Sequence, residues 1–420
     1  MDDNSLDNTR LPLWTQPERP EWVRKLNEEG AYLDMQAVVP LDEDSLISHA
    51  KDNTGLEYFG DDPWREPFRT LIKSLDEEAE LTLIGRLLTR SDLLMFLEAR
   101  LRIEDAYLRH PEIDDEVIDK PIFIIGQGRS GSTYLQKLME LPPENRTMVD
   151  VEGMFPVPLG DGPDLRREIA FNRMRMWSRV TPQVAALHDF GADTTCETIR
   201  FEAFSFRCPA WLNLLGVTPS FNASLAGESC ALPLGYAKRV LKLLQWQTPG
   251  FQWVLKSPDA LLYLPDVLKV FPDARFVWGH RDPIKAMSSM VDMIGTMMFI
   301  RSDQKLSAAY ESITNPALAA AMLTRPIDFI EGGLIPPGRL CNIQYEDLMA
   351  DPVGAVRQIY EFYSMDFTPA AEAAIEKYVR EHPRSSRPPH VYSHGDDSQI
   401  SAERRAFKPY QDYFRVPNEF

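Results

Sequence analysis

Between residues 121 and 141 the chain passes from a short apolar run, Pro121-Ile122-Phe123-Ile124-Ile125, through Gly126-Gln127-Gly128-Arg129-Ser130-Gly131-Ser132-Thr133, into a helical pattern that continues to Leu141. A buried strand that ends in a glycine-rich turn and opens a helix allows few folds. Backbone N–H groups converge at such a turn, and the helix N-terminus adds a favourable dipole for an anion. The spacing is that of a phosphate loop, G-x-x-x-x-G-K-[ST], but Ser132 stands where the lysine belongs. Arg129 places a cation earlier in the loop, and no magnesium-binding aspartate is evident after the later strands. A nucleoside-triphosphate enzyme uses both the lysine and the metal. A glycine-rich turn can also serve tight geometry alone. The coincidence of strand, Arg, Ser and Thr favours anion binding.

The rest of the chain tells what surrounds this loop. Trp253-Val254-Leu255, Ala274 to Trp278 and Leu340 to Gln344 read as further buried strands, with helices from Asp259 to Val270, from Pro283, from Pro352 and from Pro369. Strands alternating with helices predict an α/β class: parallel βαβ units in three layers around a central sheet. Ligands of such sheets sit beyond the carboxyl ends of the strands. Residues 1–118 read instead as a helical N-terminal region packed on the core. Phe68, Leu71, Ile72 and Leu75 recur at helical spacing after Pro67, and a second helix is expected from Ser91-Asp92. Pro111 to Asp119 reads as an acidic connector. Residues 119–420 are read as the α/β domain, with 155–250 as a helical insertion beyond the carboxyl edge of the sheet.

Sixty-three acidic against 45 basic residues give a net charge of −18. That argues against nucleic acid as a partner, and any anionic ligand must meet a local positive site. The four cysteines, at 196, 208, 230 and 341, fit neither a zinc ribbon nor a disulfide framework and read as reduced thiols. The N-terminus lacks a basic and apolar leader pattern, and no apolar run approaches the roughly 18 residues of a membrane span. The expected location is cytoplasmic.

With its loop read as above, the chain resembles the sulfotransferases, especially the bacterial-type family whose loop runs P-I-F-I-x-G-x-x-R-[ST]-G-[ST]-T. The resemblance implies a phosphate-loop fold and a co-substrate, 3′-phosphoadenosine-5′-phosphosulfate, whose 5′-phosphosulfate is held by Gly128, Arg129, Ser130, Gly131, Ser132, Thr133 and Tyr134. A sulfuryl group carries less charge than a phosphoryl group, so cationic side chains and backbone donors can suffice without a metal. A second similarity lies at His280-Arg281-Asp282-Pro283, followed eight residues after Arg281 by Ser289. The family's Arg and Ser at this spacing grip the donor's 3′-phosphate; taken alone, Arg281-Asp282 would read as a helix-start ion pair. Lys285 either assists or is a solvated lysine. Arg384, Arg387 and His390 form a late basic cluster, with His390-Val391-Tyr392-Ser393 similar to the family's H-x-Y-S segment.

Leu255-Lys256-Ser257-Pro258 matches the family's L-K-S-P segment, whose lysine lies near the sulfuryl group; a cation there can stabilise charge on the bridging oxygen. Many relatives continue with a histidine that this chain replaces by Ala260, which leaves the proton acceptor open. Glu152 is the first candidate, because some sulfotransferases place a catalytic glutamate at this distance beyond the loop. His188 is the second and Asp259 the third. The insertion carries Trp177, Phe190, Phe201, Phe204, Phe206, Trp211 and Phe221, most of them expected in the core, and Met287 to Met298 offers an adaptable wall. The expected reaction is in-line sulfuryl transfer to a hydroxyl or amine of an apolar small molecule. A homodimer is left open. The rival readings are a phosphate-loop kinase and a protein that binds the nucleotide without turning it over.

Overall fold

The computed structural model describes residues 14–187, 191–304, 315–383 and 395–420. Five strands form one sheet: β1 (Ile122–Ile125), β2 (Asn145–Arg146), β3 (Gln252–Lys256), β4 (Arg275–His280) and β5 (Leu340–Gln344). Their order is β2-β3-β1-β4-β5 and every pairing is parallel. Ile124 pairs with Lys256, Ile125 with Trp278, and His280 with Gln344. The chain leaves β1 toward β2 on one side and later reaches β4 on the other, so the carboxyl end of β1 is the switch point where such sheets open a crevice.

Strand alternation explains the layers. Ile122 and Ile124 point into a core shared with Leu135, Leu138, Val356 and Ile359, while Phe123 and Ile125 point into the opposite core with Leu255, Phe276 and Trp278. The second core extends without a break into the N-terminal helices. Trp64, Phe68 and Phe96 meet Phe206, with ring centroids 5.8, 4.8 and 6.3 Å from it. Arg100, fully buried beside them, donates to the carbonyls of Phe59 (2.6 Å) and Phe204 (2.9 Å) and pairs with Asp62, which satisfies its charge.

Two local expectations are corrected. The helix expected from Ser91-Asp92 starts earlier and runs Leu83–Arg109; Thr82 caps it by accepting from the Gly85 N–H at 3.1 Å. Asp92 lies inside that helix because tertiary partners hold it: Arg173 at 2.6 Å and Arg301 at 2.5 Å. The single helix expected over 259–270 divides into a 3₁₀ turn, Pro258–Leu262, and a helix, Leu264–Val270. The break falls at Tyr263, whose backbone (φ −140°, ψ 35°) is not helical, and Pro265 sits in the first turn of the new helix, where its missing N–H costs nothing. Residues 155–250 are helical and carry no strand among the described residues.

Candidate active site

Close packing shapes the loop after β1. At Gly126, with φ +135°, a Cβ would lie 2.6 Å from the Gly279 carbonyl oxygen, and at Gly128 it would strike the Met290 methyl. Gly131, at φ +90°, caps the Ser132–Glu140 helix, whose first-turn N–H groups have no acceptor within the helix. Arg129 adopts φ +70°, a costly conformation for a side-chain-bearing residue. Its carbonyl accepts from Arg281 Nη1 at 2.8 Å, and its guanidinium donates to Ser289 Oγ (2.9 Å) and the Leu187 carbonyl (3.1 Å). The two expected anion cations are thus bonded to each other's segments.

A cavity of about 690 Å³ opens beyond this loop. Gly128, Arg129, Gly131, Ser132, Thr133, Tyr134, Lys256 and Arg281 all line it. Lys256 ends β3 with its side chain 2% exposed, and its ammonium donates to Thr133 Oγ1 at 2.7 Å and pairs with Glu197 Oε1 at 2.7 Å. Glu197 reaches this position because its segment anneals between residues 148–150 and the carboxyl end of β3. Cys196 N–H donates to the Met148 carbonyl and Thr198 N–H to the Lys256 carbonyl, both at 2.9 Å. Behind it, buried Asp150 pairs with Arg200 at 2.6 Å, and Arg200 stacks 4.0 Å over Trp211. Burial pushes the Asp150 carboxyl up, against the pull of Arg200 and Lys256.

The far wall is apolar: Met290, Met293, Ile294 and Met297 from the Pro283–Phe299 helix face Trp211 and Leu214. Asp259 also lines the cavity. Its Oδ2 accepts from Tyr263 OH at 2.6 Å, and burial raises its carboxyl. The fully buried Glu202 carboxyl is pushed up to about 8 by burial and by the neighbouring Asp259 charge.

Not every candidate reaches the cavity. Ser130 sits behind the loop, its buried Oγ without a hydrogen-bond partner. Ser289 is buried and holds Arg129. Glu152 is not brought to the cavity: it lies at the third position of the Asp150–Met154 helix, accepts from the Val149 N–H at 3.3 Å and from Arg146 at 2.6 Å. Those are the bonds of a helix-start carboxylate. His188, Phe190, Arg384, Arg387 and His390 lie outside the described residues. Lys285 stands 5.7 Å from the Phe420 ring centroid. Of the insertion aromatics, Phe201, Phe204, Phe206 and Phe221 are core and Trp177 is buried, whereas Trp211 lines the cavity. Sequence reasoning missed Glu197, which belongs to no motif; the one available signal was a carboxylate in an extended Thr194-Thr195-Cys196-Glu197 stretch. Among the described residues no acidic, histidine or cysteine cluster could hold a metal ion, and no helix is long and apolar enough to cross a membrane.

The chain aligns with the omega-hydroxy-beta-dihydromenaquinone-9 sulfotransferases Stf3 of Mycobacterium bovis and Mycobacterium tuberculosis, at 26% identity over 131 residues. That match covers 31% of this chain and only 33% of each relative. Its fold is that of the sulfotransferase STF9 from Mycobacterium avium (TM-score 0.75, 24% identity, 90% of this chain and 98% of that one). It is also that of STF1 from Mycobacterium tuberculosis (TM-score 0.69, 24% identity, 88% and 98%). The model of the Sulfotransferase family matches residues 121–369, more than half of the sequence, and the chain belongs to that family.

Proposed function

We propose that the protein transfers a sulfuryl group from 3′-phosphoadenosine-5′-phosphosulfate to a hydroxyl of an apolar small molecule. The observation that carries this reading is a single cavity in which the loop and the Lys256–Glu197 pair face a wall of methionines. The Arg129 guanidinium and the N–H groups opening the Ser132–Glu140 helix, at the wall of the cavity, fit a phosphosulfate. When bound, the donor supplies the sulfuryl group and a 5′-phosphate leaving group, which keeps the electron pair of the broken sulfur–oxygen bond. Arg129 and the first-turn N–H groups hold the anionic oxygens. Lys256 neutralises charge on the leaving oxygen. Glu197 takes the proton of the acceptor hydroxyl as the new oxygen–sulfur bond forms. This reading moves the base from Glu152 to Glu197. The Stf3 relatives act, by their name, on omega-hydroxy-beta-dihydromenaquinone-9, which supports a hydroxyl acceptor of this kind.

Two measurements test the reading. 3′-Phosphoadenosine-5′-phosphate should raise the melting temperature well above ADP, since ligand at a hundredfold its Kd adds roughly 2.7 kcal/mol. Equal shifts from both would overturn the donor assignment. Transfer of ³⁵S from labelled donor should favour long-chain hydroxylated isoprenoids over sugars and should survive EDTA. Loss on chelation with recovery in Mg²⁺ would favour the kinase reading.

A further inference from the structure

Arg281 has a second occupant. After the Asp397–Phe414 helix, Arg415 takes a left-handed conformation, φ +56°, and turns the last residues back toward β4. Val416 N–H returns to the Gln411 carbonyl at 2.9 Å, and Asn418 accepts from Gln411 at 2.9 Å. The Glu419 carboxylate then closes on Arg281 with both oxygens, at 2.6 Å to Nε and 2.9 Å to Nη2. The Glu419 backbone N–H donates to Asp282 Oδ2 at 2.8 Å, and Asp282 is itself clamped by both terminal nitrogens of Arg404, at 2.6 and 2.7 Å.

We infer that Glu419 is a built-in competitor for the donor's 3′-phosphate. The inference rests on the donor reading above. A guanidinium edge that presents two N–H groups to a carboxylate has the geometry that receives two phosphate oxygens, and one edge cannot serve both fully. In a chain of net charge −18 a cation exposed to a ligand cavity is readily claimed by a neighbouring carboxylate. The Glu419 side chain is 19% exposed, whereas Arg281 is 12% exposed, so the carboxylate can swing toward solvent while its backbone stays on Asp282. Donor entry therefore exchanges one anion for another at Arg281. Product release is assisted by the return of Glu419. The residue weakens the hold on 3′-phosphorylated nucleotides and leaves nucleotides without a 3′-phosphate unaffected.

The test is calorimetric titration of the full chain and its Glu419→Gln and Glu419→Asp variants with 3′-phosphoadenosine-5′-phosphate and, separately, ADP, with thermal unfolding as a folding check. Glu419→Gln should bind the 3′-phosphorylated nucleotide roughly fivefold to thirtyfold tighter, with ADP unchanged and Glu419→Asp intermediate. Unchanged or weaker binding of the 3′-phosphorylated nucleotide overturns the inference. A parallel change for both nucleotides also overturns it, because a loosened tail acts on both alike. Failure of that nucleotide to bind even the unaltered chain removes the donor reading itself and this inference with it.

Discussion

The two ends of the cavity are built by different means. The charged end, assigned above to the proposed donor, is assembled from three segments at the carboxyl ends of the inner strands, 126–134, 256–259 and 279–282, whose positions follow from the register of β1, β3 and β4. The apolar end, assigned above to the proposed acceptor, is a helix face, Met290 to Met297, set against Trp211 and Leu214 from short turns of the insertion. One end uses fixed backbone and charge. The other uses side chains with many rotamers. The contrast teaches that the proposed chemistry would be anchored to the sheet, while the apolar wall can change without moving that anchor.

The largest effect expected from breaking this contrast lies where the ends meet. Glu197→Gln should lower turnover by roughly 10²–10⁴-fold with binding of 3′-phosphoadenosine-5′-phosphate retained. Glu152→Gln should keep turnover near its original value and lose about 1 kcal/mol of stability with the Arg146 pair. The reverse pattern in single-turnover assays would return the base to Glu152. Next, Lys256→Ala should cost roughly 10²–10³-fold in turnover, through lost charge stabilisation at the leaving oxygen. A change confined to the acceptor KM would place Lys256 at the other end.

Met293→Ala should act on the acceptor end alone. It should raise the KM for a hydroxylated isoprenoid several-fold, since removing buried apolar contact costs about 1–2 kcal/mol, with donor affinity unchanged. A matching loss of donor affinity would show that the ends are not separable. The smallest effect concerns pH. Glu202, at about 8 in the folded chain against 4.5 when free, stays protonated where the unfolded chain ionises. Its contribution to stability is full below about pH 4.5 and is lost as pH rises through 8. Glu202→Gln should therefore gain melting temperature relative to the original protein by roughly a few degrees between pH 5 and pH 8. An unchanged difference across that window would mean that Glu202 is ionised in the fold.

How much of this was legible beforehand depends on locality. The strand, turn and helix of 121–141 and the parallel α/β class could be read from the sequence because each depends on neighbours a few residues away: a glycine for a tight turn, a proline at a helix start. Arg129, Lys256 and Arg281 are singled out with the help of the family resemblance, and only the fold sets all three on one cavity. The Arg281–Ser289 spacing was legible as well, yet the fold gives Ser289 to Arg129. Glu197 could not be read, because its meeting with Lys256 depends on the extended segment at 194–197 annealing beside residues 148–149 and on the carboxyl end of β3. Glu419 could not be read either, since it reaches a cation 138 positions earlier only through the turn at Arg415. Local propensity is written in consecutive residues. Which carboxylate neutralises which buried cation is decided when distant segments share one low-dielectric volume, and there a charge left alone is too costly to persist.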